Sequence, residues 1–123
     1  METKDIPQAQ VDDLYSKLGP AAERKGYRLN PSEKDAKELV RSLINARNNY
    51  GYMCCPCRLP ARDIKIDSDI ICPCVYRDPD IAEYGTCYCT LYVSPEVAEG
   101  KKPLRSIPER RPSLEERMKN KKV

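Results

Sequence analysis

Residues 55–89 read CPCRLPARDIKIDSDIICPCVYRDPDIAEYGTCYC and hold three Cys-x-Cys units: Cys55-Pro56-Cys57, Cys72-Pro73-Cys74 and Cys87-Tyr88-Cys89. A seventh cysteine, Cys54, abuts the first unit, and the rest of the 123 residues contain none. With every sulfur in this stretch, the chemistry of the chain is expected there too. In extended backbone, residues i and i+2 point to the same side, so each unit would aim two sulfurs one way. Pro56 and Pro73 fix φ and remove an N–H, which stiffens that presentation. A disulfide inside one unit would close a ring too tight for relaxed geometry, so pairing across units is the better expectation. Four thiolates suit a [4Fe–4S] cluster or a tetrahedral zinc, and six paired sulfurs then leave two over. Beside an iron–sulfur cluster those two would form a dithiol/disulfide couple, whereas zinc is redox-inert.

The composition narrows the alternatives. Histidine is absent, which removes His-based acid/base catalysis, Cys-His nucleophile pairs and mixed Cys/His zinc sites. Phe and Trp are absent as well, and a third of the residues are charged. A chain of this length forms one modest core, so a cysteine-tied metal centre is expected to help hold it. The N-terminal Met1-Glu2-Thr3-Lys4-Asp5 is polar and has no apolar signal region. No apolar run approaches membrane-spanning length. A reducing cytoplasm is therefore the expected setting, where clustered cysteines bind metal or catalyse rather than form structural disulfides; with no transit-peptide composition and an oxygen-sensitive type of centre, that cytoplasm is expected to be prokaryotic.

Outward from the cysteines, the sequence reads as mainly helical. Val11, Leu14, Tyr15 and Leu18 recur at helical spacing, and Gly19-Pro20 reads as a stop before a second segment from Ala21 to Lys25. Ser32 after Pro31 reads as the N-cap of a helix whose apolar stripe is Ala36, Leu39, Val40, Leu43 and Ile44. That helix should fade through Asn48-Asn49 and end by Gly51, delivering the chain into Cys54 and Cys55. Asp67-Ser68-Asp69 reads as the cap of a short helix carrying Ile70, Ile71 and Cys72. Arg77-Asp78-Pro79-Asp80 reads as a turn, Ile81 to Tyr84 as one helical turn, and Gly85 as a break. Thr90 to Val93 has β-type composition, and Ser94-Pro95-Glu96 reads as a helix start. Residues 101–123 carry nine Lys/Arg against three Asp/Glu, so the excess positive charge of the chain sits wholly in the tail. Within the tail, Ser113-Leu114-Glu115-Glu116 reads as a capping box. The expected organisation is one domain: a helical lead over 1–30, a core over 31–100 and a basic tail over 101–123.

The ordered Cys-Pro-Cys, Cys-Pro-Cys, Cys-x-Cys pattern resembles the catalytic subunit of ferredoxin:thioredoxin reductase, over roughly Pro31 to Pro95. The resemblance implies an all-α, disc-like subunit with irregular loops organised around a [4Fe–4S] cluster beside an active-site disulfide. Carried over by position, the cluster ligands are Cys55, Cys72, Cys74 and Cys87, and the redox pair is Cys57 and Cys89. The mechanism implied is reduction by a ferredoxin, attack of Cys57 on the disulfide of thioredoxin or a similar protein, and resolution by Cys89.

Departures from the family pattern are equally legible. Fourteen residues separate the first two units and twelve the last two, a shorter first and a longer second loop than in plant and cyanobacterial relatives. Such length changes are cheap. Tyr88 stands where the relatives carry histidine, so proton handling at that catalytic position differs. A phenol with pKa around 10 is mainly a hydrogen-bond partner. Cys54 is extra and reads as a small buried thiol. Arg58 has two readings, a group that steadies a thiolate and an ordinary surface arginine.

Ferredoxins are commonly acidic, which makes the basic tail a candidate docking element beside its plainer reading as a solvated end. The plant and cyanobacterial enzymes also carry a small β-barrel variable subunit, a further candidate partner. Nucleic acid is a weak expectation: Lys119 to Lys122 are basic, but no recognition motif accompanies them. Two rival functions stay open, an iron–sulfur electron-transfer protein without disulfide chemistry and a zinc-stabilised interaction module.

Overall fold

A computed structural model describes residues 6–113 and 115–117. The polar lead Met1–Asp5, Leu114 of the capping box and the basic run Lys119–Lys122 lie outside the described residues. The order of elements is α1 (Gln8–Arg24), β1 (Arg28–Leu29), α2 (Glu33–Tyr50), a 3-10 turn (Ser68–Ile70), α3 (Arg77–Tyr84), β2 (Tyr92–Val93) and α4 (Pro95–Ala98). The fold is mainly helical, as expected. The expectation of an all-α fold is amended by one antiparallel pair, β1 with β2, in which Arg28 faces Val93 and Leu29 faces Tyr92. Among the described residues no helix is long and apolar enough to cross a membrane.

Gly19-Pro20 does not stop the first helix; α1 runs through both as a single element. Proline removes one i→i−4 hydrogen bond and normally breaks a helix. Here Val11 and Ala22, both buried, lie on one face with Leu18, and α1 packs that face on α2. Burial of the continuous face outweighs the local defect. The true stop comes at Gly26 (φ +84°), where Gly26 N–H bonds Glu23 C=O and Tyr27 N–H bonds Ala22 C=O. That pair is the Schellman arrangement, which needs a left-handed residue after the C-cap.

The second helix begins as read. Ser32 Oγ accepts from the Asp35 N–H at 3.3 Å, and Glu33 and Asp35 occupy the positive end of the helix dipole. Ala36, Val40, Leu43 and Ile44 are buried in the core with Val11, Ile70 and Leu91. The helix ends at Gly51 in the left-handed conformation.

Two readings between the cysteine pairs are corrected, and a third, the break at Gly85, holds. Asp67 does not cap the following turn. Its fully buried carboxylate instead accepts from Tyr52 Oη at 2.5 Å, from the Ala61 N–H at 2.9 Å and from the Arg62 N–H at 3.2 Å. A buried charge persists only when its lone pairs are satisfied, so Asp67 fixes the loop between the first two units from inside. The supposed turn Arg77-Asp78-Pro79-Asp80 is the first half of α3. Pro79 is tolerated there because first-turn N–H groups have no intrahelical partner. Finally, Gly85 is a left-handed cap, and a Cβ at that position would lie 3.0 Å from Val97 Cγ2, so only glycine fits both backbone and space.

The tail folds back over the body. Ile107 is buried. Arg110 pairs with the buried Asp80 at 2.8 Å and with Glu83. Arg111 makes a two-pronged pair with Asp69 at 2.8 and 2.9 Å, and Arg117 donates to Ile66 C=O at 3.0 Å. Residues 115–117 are helical, with Ser113 Oγ accepting the Glu116 N–H. Residues 105–113 and 115–117 are thus a strap rather than a solvated end, and its four arginines are engaged by the body, Arg105 over the Tyr84 ring.

The strap should be acid-labile. Burial raises the Asp69 carboxyl, but hydrogen bonds from Arg111 and Tyr76 and the charges of Arg111 and Arg117 outweigh it, so the net shift is downward. A carboxyl depressed in the folded state contributes stability above its ordinary pKa of about 4, and that contribution is lost as pH falls through the depressed value. Protection factors for hydrogen exchange at the Arg111 and Arg117 amides, taken against the intrinsic rate at each pH, should therefore hold from neutrality to about pH 5 and fall only below about pH 4. Release near neutrality would contradict the assignment of the strap to these pairs.

Candidate functional site

The first and last Cys-x-Cys units are turns, not the extended segments their spacing suggests. The Arg58 N–H bonds Cys55 C=O at 3.2 Å, and the Thr90 N–H bonds Cys87 C=O at 3.0 Å. Proline is favoured at the second position of such a turn, which Pro56 occupies. In a turn the i and i+2 side chains no longer share a face. Accordingly Cys55 is buried while Cys57 is exposed. Pro56 thus stiffens a turn in which one thiol is buried and the other exposed.

Backbone pairing brings the units to one place. Cys55 N–H bonds Ile70 C=O and Cys72 N–H bonds Met53 C=O, each at 2.7 Å, with Cys54 opposite Ile71 in an antiparallel bridge. Cys87 N–H bonds Tyr92 C=O at 2.9 Å, and Thr86 pairs with Val93. The intervening turn, with Thr90 at φ +65°, is held by the buried Asn30. That side chain donates to Thr90 C=O at 3.0 Å, while its backbone N–H bonds Leu91 C=O at 2.8 Å.

Cys55, Cys72, Cys74, Cys87 and Cys89 line one narrow cavity of about 10 Å³, closed by Pro73, Arg77, Tyr88 and Tyr92. Larger clefts of about 490 and 380 Å³ lie elsewhere and contain no cysteine. Cys89 is buried, with Sγ 3.7 Å from Cys87 Sγ. Hydrogen bonds to Cys55, Cys57 and Cys87, reinforced by burial, hold the Cys89 thiol well above its usual value. The same bonds lower Cys55, Cys57 and Cys87 against the opposing effect of burial. Cys89 is thus the thiol that holds its proton most firmly, and its one S–H lies against Cys87 Sγ. Burial pushes Cys72 and Cys74 upward, Cys74 being partly offset by Arg58.

Among the described residues no three His, Cys, Asp or Glu side chains are gathered closely enough to hold a single metal ion. What the shared cavity offers a cluster is its donor chemistry. Five soft thiols line it, the Tyr92 N–H donates to Cys87 Sγ at 3.3 Å, and Arg58 Nη1 donates to Cys74 Sγ at 3.3 Å. Hydrogen bonds to ligand sulfur are among the main protein levers on iron–sulfur centres, so the residues present fit such a group.

The description ferredoxin thioredoxin reductase catalytic beta chain matches residues 6–112. The chain belongs to that family. The match takes in α1 and most of the strap, beyond the Pro31–Pro95 stretch that carries the sequence resemblance. No curated protein matches the chain. Family membership makes the protein an oxidoreductase of the disulfide-reductase kind, in a family that binds an iron–sulfur cluster and whose name carries both ferredoxin and thioredoxin.

Against this catalytic-chain background, the surface reading of Arg58 is overturned. Its side chain is 2 % exposed and reaches Cys74 rather than solvent. Tyr88 turns its ring to Arg58, whose Cζ lies 4.7 Å from the ring centroid. The sequence reading missed Asn30, Asp67 and Glu109 as supports of the site. Glu109 had the clearest signal, as one of only three acids in the basic tail. Cys54 is buried outside the cavity lining.

Proposed function

We propose that this chain is a disulfide reductase that draws electrons from a ferredoxin through a [4Fe–4S] cluster held by Cys55, Cys72, Cys74 and Cys87. Its substrate in this reading is thioredoxin or a similar protein disulfide, reduced by the Cys57/Cys89 pair. The observation that carries the proposal is the contrast between the last two thiols: Cys57 exposed, and Cys89 buried on the cavity of the other four with its Sγ 3.7 Å from Cys87 Sγ.

The chain's own residues support a balanced exchange. Cys57, with its lowered pKa, attacks one sulfur of the target disulfide, forms a mixed disulfide and expels the other target sulfur as a thiolate. Cys89 gives its proton to the expelled target thiolate and attacks Cys57 Sγ, which breaks the mixed disulfide, closes a Cys57–Cys89 disulfide and releases the second target sulfur as a thiolate that takes a proton from water. The target has gained two electrons and the pair has lost two. A [4Fe–4S] cluster supplies the ability to take electrons singly and return two to that pair. Tyr88, without an ionisable imidazole, serves as ring and wall of the site rather than as a proton carrier.

Alkylation of Cys57 under anaerobic conditions tests the coupling between thiol and cluster. The expected outcome is a changed visible and EPR signature of the bound cluster after modification at Cys57 alone. An unchanged spectrum would favour a plain electron carrier.

A further inference from the structure

We infer that Arg58, held by Glu109 of the C-terminal strap, is a tuning residue of the redox centre, so that the strap sets the centre's electron affinity. This rests on the reading of Cys74 as a cluster ligand. Arg58 Nη1 donates to Cys74 Sγ at 3.3 Å, while Nε and Nη2 grip both oxygens of Glu109 at 2.6 Å each. Only a planar fork satisfies a carboxylate and a sulfur in this way, and the point charge of lysine does not. The guanidinium is flanked by the rings of Tyr76 at 5.2 Å and Tyr88 at 4.7 Å, both within cation–π range. All its sides are thus occupied by a carboxylate, a sulfur or a ring.

A donor cation on a ligand sulfur stabilises the more negative, reduced state of an iron–sulfur centre and raises its potential. Arg58 cannot hold that position from its own turn alone. Its body partners are two ring faces and a weakly accepting sulfur, and the single carboxylate that orients the fork arrives from the strap, 51 residues along the chain. Glu109 is therefore a positioning residue that acts through Arg58. The substitution of histidine by tyrosine also gains a physical role here, since the Tyr88 ring supplies one wall of the stack.

Redox titration of the anaerobically purified protein, followed by EPR and visible absorption, tests this. Arg58→Met should disfavour reduction by about tenfold or more in the one-electron equilibrium, which is about 59 mV for n = 1. Glu109→Gln should shift it in the same direction by at least about threefold, and Arg58→Lys should fall between wild type and Arg58→Met. Tyr88→Phe keeps the ring and should stay within twofold. Arg110→Ala loosens the strap at Asp80, so its melting temperature should fall while its potential stays within twofold. An unmoved potential in Arg58→Met, or a shift in Arg110→Ala as large as in Glu109→Gln, would overturn the inference. A shift in Tyr88→Phe would overturn the stacking role. If Arg58→Met fails to take up iron, Glu109→Gln decides alone, and no shift there overturns the inference. Wild-type protein that holds no cluster would overturn the site reading together with this inference.

Discussion

Cys57→Ser is expected to abolish disulfide reduction, by a factor on the order of 10⁴ or more, while iron content and fold stay at wild-type levels. The nucleophile in disulfide exchange is a thiolate, and a serine hydroxyl is not ionised near neutrality. Cys57 is the exposed member of the first unit and does not line the cavity, so its loss should leave a bound cluster intact. Cys89→Ser should fail differently. Its Cys57 can still attack, but nothing resolves the adduct, so a mixed disulfide with the target should accumulate and be visible by mass spectrometry. Steady-state reduction of a thioredoxin disulfide, paired with iron analysis, checks both. Substantial turnover by Cys57→Ser would remove Cys57 from the reaction.

Cys87→Ser is expected to reduce bound iron to near background. Cys87 is buried, lines the cavity and receives the Tyr92 N–H on its sulfur. Serine replaces a soft thiolate by a hard, protonated oxygen that suits iron–sulfur ligation poorly. The exchange is nearly isosteric, so circular dichroism should separate a lost ligand from a lost fold. Cys54→Ser is the natural comparison. Cys54 is equally buried but lies outside the cavity lining, and that variant should keep its iron. Loss of iron in Cys54→Ser together with retention in Cys87→Ser would mean that the ligand set is misassigned.

How much of this was legible in the sequence depended on whether the governing interaction was local. The Ser32 cap, the stripe on α2 and the Ser94-Pro95 helix start are set by neighbours within one or two turns, and all three read correctly. The run through Gly19-Pro20 did not, because tertiary burial of Val11 and Ala22 on α2 overrides a local helix breaker. The cysteine units were readable as a concentration of sulfur, but the first and last were not readable as turns. The same Pro56 that stiffens an extended strand also suits the second position of a turn, and only the Arg58–Cys55 hydrogen bond chooses between them. That choice is what sends Cys55 inward and Cys57 outward. The strap was read as charge and a capping box, not as a segment bound to the body. Its arginines find hydrogen-bond partners on α3 and on the loop before Cys72, and Glu109 finds Arg58, at separations of 27 to 51 residues. No periodicity or spacing carries such pairings.

The most direct measurement of the central claim is metal and acid-labile sulfide analysis of the anaerobically purified protein, with its visible spectrum. The account predicts a brown protein with about four iron and four sulfide per chain. A colourless protein carrying one zinc per chain would contradict it and make the chain a zinc-stabilised module.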